Sequence, residues 1–174
     1  MSAREKELKE AIAAAVKMET DGMAFYRKAS ESVKSPMGKA MFQSFIKDEK
    51  RHLEVLNEIL QDMFHRSVEE AFVGTPASRI KSIFQQNRSM LEERVSADPG
   101  DIEALKIAME MEDKGYRLYK ESAEKTGDEK LKALFERLAS EEQQHYSMMS
   151  NALTYLTDTG NWLIFEEHGI MDGG

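Results

Sequence analysis

Residues 48–56 read DEKRHLEVL, acidic, then basic, then apolar, which in isolation resembles a solvated helix surface. Glu49 and His52 resist that reading. Stepping outward from them in alternating threes and fours reaches Phe45 and Phe42 one way and Leu56, Ile59 and Met63 the other. That spacing is the buried face of a helix packed nearly parallel to its neighbours, so an acid and an imidazole interrupt an apolar seam. The layout recurs 93 residues later, in EEQQHYSMM at 141–149, where Glu142 and His145 take the places of Glu49 and His52.

Working outward from this pair, the same offset relates Glu19 to Glu112, Gly22 to Gly115, Tyr26 to Tyr119, Phe42 to Phe135 and Asp48 to Glu141, without a gap. The chain therefore reads as a duplicated helical hairpin. The breaks VGTP (73–76) and ADPGD (97–101) separate the copies, with Asp98 or Asp101 able to cap the next helix. The spacing predicts helices over 4–32 and 36–67, joined at VKSP, and over 101–125 and 128–156, joined at TGDE. Their seams are Leu8, Ile12, Ala15, Glu19, Gly22, Tyr26, Ala29; Phe42 through Met63; Leu105, Ala108, Glu112, Gly115, Tyr119; and Leu131, Phe135, Leu138, Glu142, His145, Met149, Ala152, Leu156. Polar groups interrupt all four near mid-height.

Between the pairs, a crossover over 68–100 carries Ile80, Phe84, Met90, Leu91 and Val95 at roughly helical spacing, so it is expected to be partly helical and to return along the bundle. A short tail, 157–174, holds the only Trp and is expected to pack on a bundle end or a partner subunit.

At 174 residues, 32% charged and 41% hydrophobic with three prolines, the chain has the composition of long helices, and the expectation is an all-α four-helix bundle forming a single domain over 1–174. A net charge of −8 and a pI near 5.1 provide no basic stripe for nucleic acid. The charged start MSAREKELKEAIAAAV and the lack of a long apolar run point to a cytoplasmic protein with no membrane partner. With no cysteine, any metal is held by oxygen and nitrogen.

Two facing hairpins would bring together four glutamates and two histidines. Burying one unpaired carboxylate costs several kcal/mol or forces it to take a proton. The seams offer no Lys or Arg, and Lys50 and Arg51, between the candidates, are expected to point elsewhere. Two divalent cations balance four carboxylates in formal charge, and mixed oxygen and nitrogen donors suit iron or manganese better than calcium or magnesium. Glu and His at i and i+3 lie about 60° apart on the helix surface, so both reach one interior site. The metal candidates are thus Glu19, Glu49, His52, Glu112, Glu142 and His145. One Glu-x-x-His is weak evidence in a glutamate-rich chain; two on apolar seams, each with a seam Glu 30 residues upstream, are strong.

His65 follows Asp62 by three, but Asp62 is about 220° around the helix from Glu49. His168 lies in the tail, and both read as non-ligands. Tyr26 and Tyr119, two turns beyond Glu19 and Glu112 on the same faces, are candidates to hydrogen-bond ligand carboxylates. Gly22 and Gly115 cost helix propensity and call for a packing or access reason. The methionines read as pliable core.

METDGMAFYRKASE and MEDKGYRLYKESAE, followed by FIKDEKRHLEVL and LASEEQQHYSMM, resemble the ferritin-like superfamily, in particular its rubrerythrin-like branch without a rubredoxin domain. The resemblance covers about residues 5–156. It implies a ferritin-like bundle with a di-iron site: Glu49 and Glu142 bridging, Glu19 and Glu112 terminal, and His52 and His145 giving one nitrogen to each metal. Manganese or a mixed pair are alternatives. It also implies reduction of hydrogen peroxide, or reaction with oxygen, using electrons from a separate donor such as rubredoxin, in a homodimer or other small homo-oligomer. Rubrerythrins proper have a further Glu one turn after the third-helix ligand, where this chain has Gly115. The competing expectations are a ferritin- or bacterioferritin-like ferroxidase or iron store, although Lys50 stands where bacterioferritins place a haem-binding Met, and a non-catalytic bundle stabilised by metal.

Overall fold

The computed structural model describes residues 3–61, 66–74, 76 and 99–159. Met63, His65, Asp98, His168, the helical spacing expected from Ile80 to Val95, and the tail beyond residue 159 lie outside the described residues. Helix α1 spans Ala3–Ser32, α2 Pro36–Leu60, α3 Val68–Ala71, α4 Pro99–Lys125 and α5 Glu129–Thr159, with no strand among the described residues.

The helix ends follow local capping chemistry. Ser35 starts α2: its side chain accepts from the Gly38 N–H at 3.3 Å, and Pro36 occupies the first helical turn, where a missing N–H costs nothing. Asp128 starts α5 by accepting from the N–H groups of Lys130 and Leu131 at 2.9 and 3.0 Å. Helix α4 begins two residues earlier than expected, so Asp101 lies buried in its first turn instead of at a cap. An acid there suits the positive end of the helix dipole.

The second helix is shorter than expected, ending at Leu60 instead of residue 67. Gln61 closes it with its N–H on the Asn57 carbonyl, and Ser67 and Glu70 form a reciprocal capping box that starts α3. Arg66 folds back onto both carboxylate oxygens of Glu58, at 3.2 and 2.9 Å.

The buried seams agree with the periodicity and form two apolar clusters. One gathers Tyr26, Phe42, Phe45, Leu105, Ala108, Met149 and Leu156; the other gathers Ile12, Val55, Leu56, Phe72, Tyr119, Leu134, Phe135 and Leu138. Each long helix runs from one cluster to the other through its own polar residues. The order of residues along each helix shows that α1 and α5 run one way and α2 and α4 the other. Helix α2 therefore ends at the opposite end of the bundle from the start of α4. This is an all-α, ferritin-like four-helix bundle. Helix α1 packs on α2 and α4, α4 packs on α5, and the short α3 rests on α5.

Candidate metal centre

The polar layer between the two apolar clusters holds all six metal candidates. Glu19 comes from α1, Glu49 and His52 from α2, Glu112 from α4, and Glu142 and His145 from α5; none is more than 3% exposed. They form two overlapping groups, Glu19–Glu49–His52–Glu142 and Glu49–Glu112–Glu142–His145, within each of which one ligand atom per residue lies within 4.8 Å of the others. Glu49 and Glu142 belong to both groups. The His52 Nδ1 lies 3.5 Å from Glu19, 3.6 Å from Glu49 and 3.2 Å from Glu142. The His145 Nδ1 lies 3.5 Å from Glu112 and 3.8 Å from Glu49.

The donor atoms facing the centre fit a cation. Both Nδ1 atoms, Glu112 Oε2 and Glu142 Oε1 are buried and make no hydrogen bond. Leaving such atoms unsatisfied is costly in an apolar interior, and a metal would satisfy all of them at once. The far nitrogen of each ring is anchored by a carboxylate: His52 Nε2 lies 3.2 Å from Glu141, and His145 Nε2 lies 3.1 Å from Asp48. With metal bound, an acid at Nε2 would hold the ring's one proton there and leave the Nδ1 lone pair for the cation. The site is a buried carboxylate and imidazole group able to hold metal.

The electrostatics show what this layer does with protons in place of metal. Burial, and then repulsion from Glu19, holds the Glu49 carboxyl well above its usual range; burial and Glu112 do the same to Glu142. For Glu19, burial pushes upward, but the attraction of His52 outweighs it and the carboxyl falls to about 2. Glu112 is lowered in the same way: burial opposes, and His145 prevails. Burial disfavours a charged His145, yet Glu112 and Asp48 raise it to about 10, and Glu19 and Glu141 likewise raise His52. The shared carboxylates and the imidazoles thus carry the protons that offset Glu19 and Glu112.

The tyrosine hydroxyls reach the candidate carboxylates. Each hydroxyl donates to a candidate carboxylate, but across the bundle: Tyr26 to Glu112 and Tyr119 to Glu19. Burial, and then the facing carboxylate, raises both phenols well above their usual value, so they remain donors.

Arg51 does not point away from the site, which corrects the sequence expectation. Its guanidinium lies 3.3 Å from Asp48, bonds Glu141, and sits 5.2 Å from the Phe72 ring centroid. Arg137 lies 5.6 Å from the same Phe72 ring centroid, bonds Glu141 at 2.7 Å and donates to the Gly74 carbonyl at 2.5 Å. Gly74 has φ 76°, the left-handed region where glycine is unstrained. Lys50 does face outward, 71% exposed and 3.8 Å from Glu54. Residue-type reasoning missed roles for Asp48, Glu141, Arg51 and Arg137; for the two acids, their alignment just before each candidate Glu was the available signal.

Both seam glycines lie against the site. A Cβ at Gly115 would come 3.1 Å from Glu142 Oε2, and one at Gly22 would come 4.0 Å from the Glu49 carboxyl carbon. Beside them a small cleft of about 10 Å³, room for roughly one water, is lined by Met18, Glu19, Gly22, Tyr26, Glu49, Met111, Glu112 and Glu142. No helix among the described residues is long and apolar enough to cross a membrane.

A family model described as Rubrerythrin matches residues 10–153. No curated protein and no solved structure matches the chain.

Proposed function

The chain belongs to the rubrerythrin family, and from that membership we propose that it is a non-haem di-iron oxidoreductase that reduces hydrogen peroxide with electrons from a separate donor protein. The observation that carries this reading is the pair of four-residue groups sharing Glu49 and Glu142, with unpaired nitrogen and oxygen atoms directed between them. Glu19 and His52 would hold one ion, Glu112 and His145 the other, and Glu49 and Glu142 would serve both. An all-oxygen-and-nitrogen donor set suits iron, with manganese or a mixed pair as the alternatives that metal analysis would distinguish.

A reduced pair of iron ions held there would supply two electrons, which with two protons take hydrogen peroxide to two waters while both ions pass from ferrous to ferric. The chain's residues set the conditions for that chemistry. Asp48 and Glu141 hold the imidazoles by Nε2, so that Nδ1 stays available. Tyr26 and Tyr119 keep their protons on Oη and fix Glu112 and Glu19 by donating to them. The apolar clusters above and below the layer exclude bulk water. With no cysteine in the 174 residues, the electrons would come from a centre outside them, such as a rubredoxin, and a homodimer or other small homo-oligomer is the proposed assembly.

Gly115 supports a second reading, ferroxidation or iron storage. A Cβ there would stand 3.1–3.3 Å from Glu142 and 3.2 Å from the Met18 methyl, so an additional carboxylate at this position would have to push both aside, and this chain has none there to change the coordination. Anaerobic loading with ferrous iron, followed by substoichiometric peroxide or oxygen, separates the two. Faster oxidation by peroxide without mineral supports the peroxidase; equal or faster reaction with oxygen, mineral growth and a shell-sized native mass support storage. A protein that binds metal and reacts with neither oxidant is the metal-stabilised bundle.

A further inference from the structure

The 93-residue offset that pairs the ligands also pairs Met18 with Met111, one residue before Glu19 and Glu112. These two methionines close the cleft between α1 and α4, each against the other helix's glycine. The Met18 methyl lies 3.2 Å from where a Cβ on Gly115 would stand, and the Met111 methyl lies 3.6 Å from the same point at Gly22. Both side chains are half-buried, and both line the cleft together with the four carboxylates. The glycines make the hollows; the methionines fill them.

What remains open beside Glu49 and Glu142 is about 10 Å³, enough for roughly one water. Through this cleft, a molecule larger than water reaches the carboxylates when a thioether swings aside, and methionine is the apolar side chain most suited to do so because it is unbranched and flexible. Its small hollow at glycine sets how far it can retract.

We propose that Met18 and Met111 form a paired gate that sets the oxidant class, admitting unsubstituted two-atom oxidants such as hydrogen peroxide and excluding organic hydroperoxides. This rests on the metal-centre reading above and names the substrate class for it. The gate residues hold no metal and touch no reacting atom; their effect is on which molecules enter.

The test uses the full chain in two metal forms, with M18A/M111A to open the cleft and M18L/M111L to keep its bulk. In the cobalt(II)-loaded protein, visible absorption reads binding of azide, a slim anion, and of benzohydroxamate, a bulky one. In the iron-loaded protein, turnover of cumene hydroperoxide is compared with that of hydrogen peroxide. Opening the gate is expected to raise the bulky-to-slim ratio by at least about tenfold in both assays, the range a steric pocket controls. M18L/M111L is expected to stay within about threefold of the wild-type ratio. Ratios in M18A/M111A that match wild type overturn the gate. So do a leucine pair that behaves like the alanine pair, and a wild-type protein that turns over cumene hydroperoxide as fast as hydrogen peroxide. If cobalt binding follows expectation while the iron form ignores every peroxide, the gate stands and the proposed reaction fails.

Discussion

Around His52 the Nε2 partner is Glu141, which also bonds Arg51 and Arg137, and the Phe72 ring lies 6.0 Å away. Around His145 the partner is Asp48, and the ring neighbour is Phe45 at 4.4 Å. At the centre the two hairpins match residue for residue; one layer out they diverge. The positions corresponding to Arg51 and Arg137 by the 93-residue offset are Gln144 and Ser44. Inner positions are constrained by a cluster that must be satisfied from both sides. The outer ones answer to local neighbours, here α3, which comes after α2 and whose C-cap Phe72 lies against both arginines.

The largest expected effect comes from the residues common to both halves. E49A or E142A should lower the metal content, measured by elemental analysis of purified protein, from about two ions per chain to less than one. Unchanged metal content in both variants would refute the site assignment.

Next come the residues that distinguish the halves. D48A and E141A should each weaken metal binding by about 10–100-fold in competition titrations, because each frees an imidazole from its anchor. E141A should destabilise the metal-free fold more than D48A, by about 2 kcal/mol in chemical denaturation, because it strips an acid from two arginines whereas D48A strips one from Arg51 alone. That figure is kept below the fully buried range because Arg51 and Arg137 side chains are 19% and 27% exposed. Equal destabilisation by the two variants would show that the outer layers are energetically alike after all.

A smaller and symmetric effect is expected of the tyrosines. Y26F and Y119F each remove one buried donor to a carboxylate and should cost about 1 kcal/mol apiece in the metal-free protein. The last effect is the pH dependence of the metal-free protein. Glu49, Glu142, His52 and His145 are all raised, so the stability they add is present at low pH and is lost as pH rises. For His145 the window runs from its usual 6.5 to about 10. Glu19, lowered to about 2, has the opposite sign and acts only between there and 4.5. Calorimetry in the presence of chelator should therefore show Tm falling by about 5 °C from pH 6.5 to 9. Metal loading, which displaces those protons, should flatten or reverse the slope.

Much of this was legible in the chain because duplication and helical periodicity are both local patterns. Glu49 and His52 stand out against Phe42, Phe45 and Leu56 before any coordinates are known, and their copies at Glu142 and His145 turn an oddity into a centre. The end of α2 was not legible: residues 61–67 contain no proline or glycine, and the break depends on Gln61 closing one helix and a capping box at Ser67 and Glu70 opening the next. Arg51 was misplaced because its position in the helical repeat says which way its backbone faces, while its long side chain can turn toward acids on another helix.

By itself, the sequence determined the class, the pairing of hairpins and the six residues at the centre, since each follows from spacing along one helix and one offset. Only the tertiary structure decided who meets whom across the bundle. Tyr26 serves Glu112 and Tyr119 serves Glu19, His52 leans on Glu141 and His145 on Asp48, and Met18 and Met111 close over each other's glycine. The physical reason is that periodicity selects a face, whereas a hydrogen bond or a packed methyl requires the distance and register between two faces, which exist only once the helices have packed.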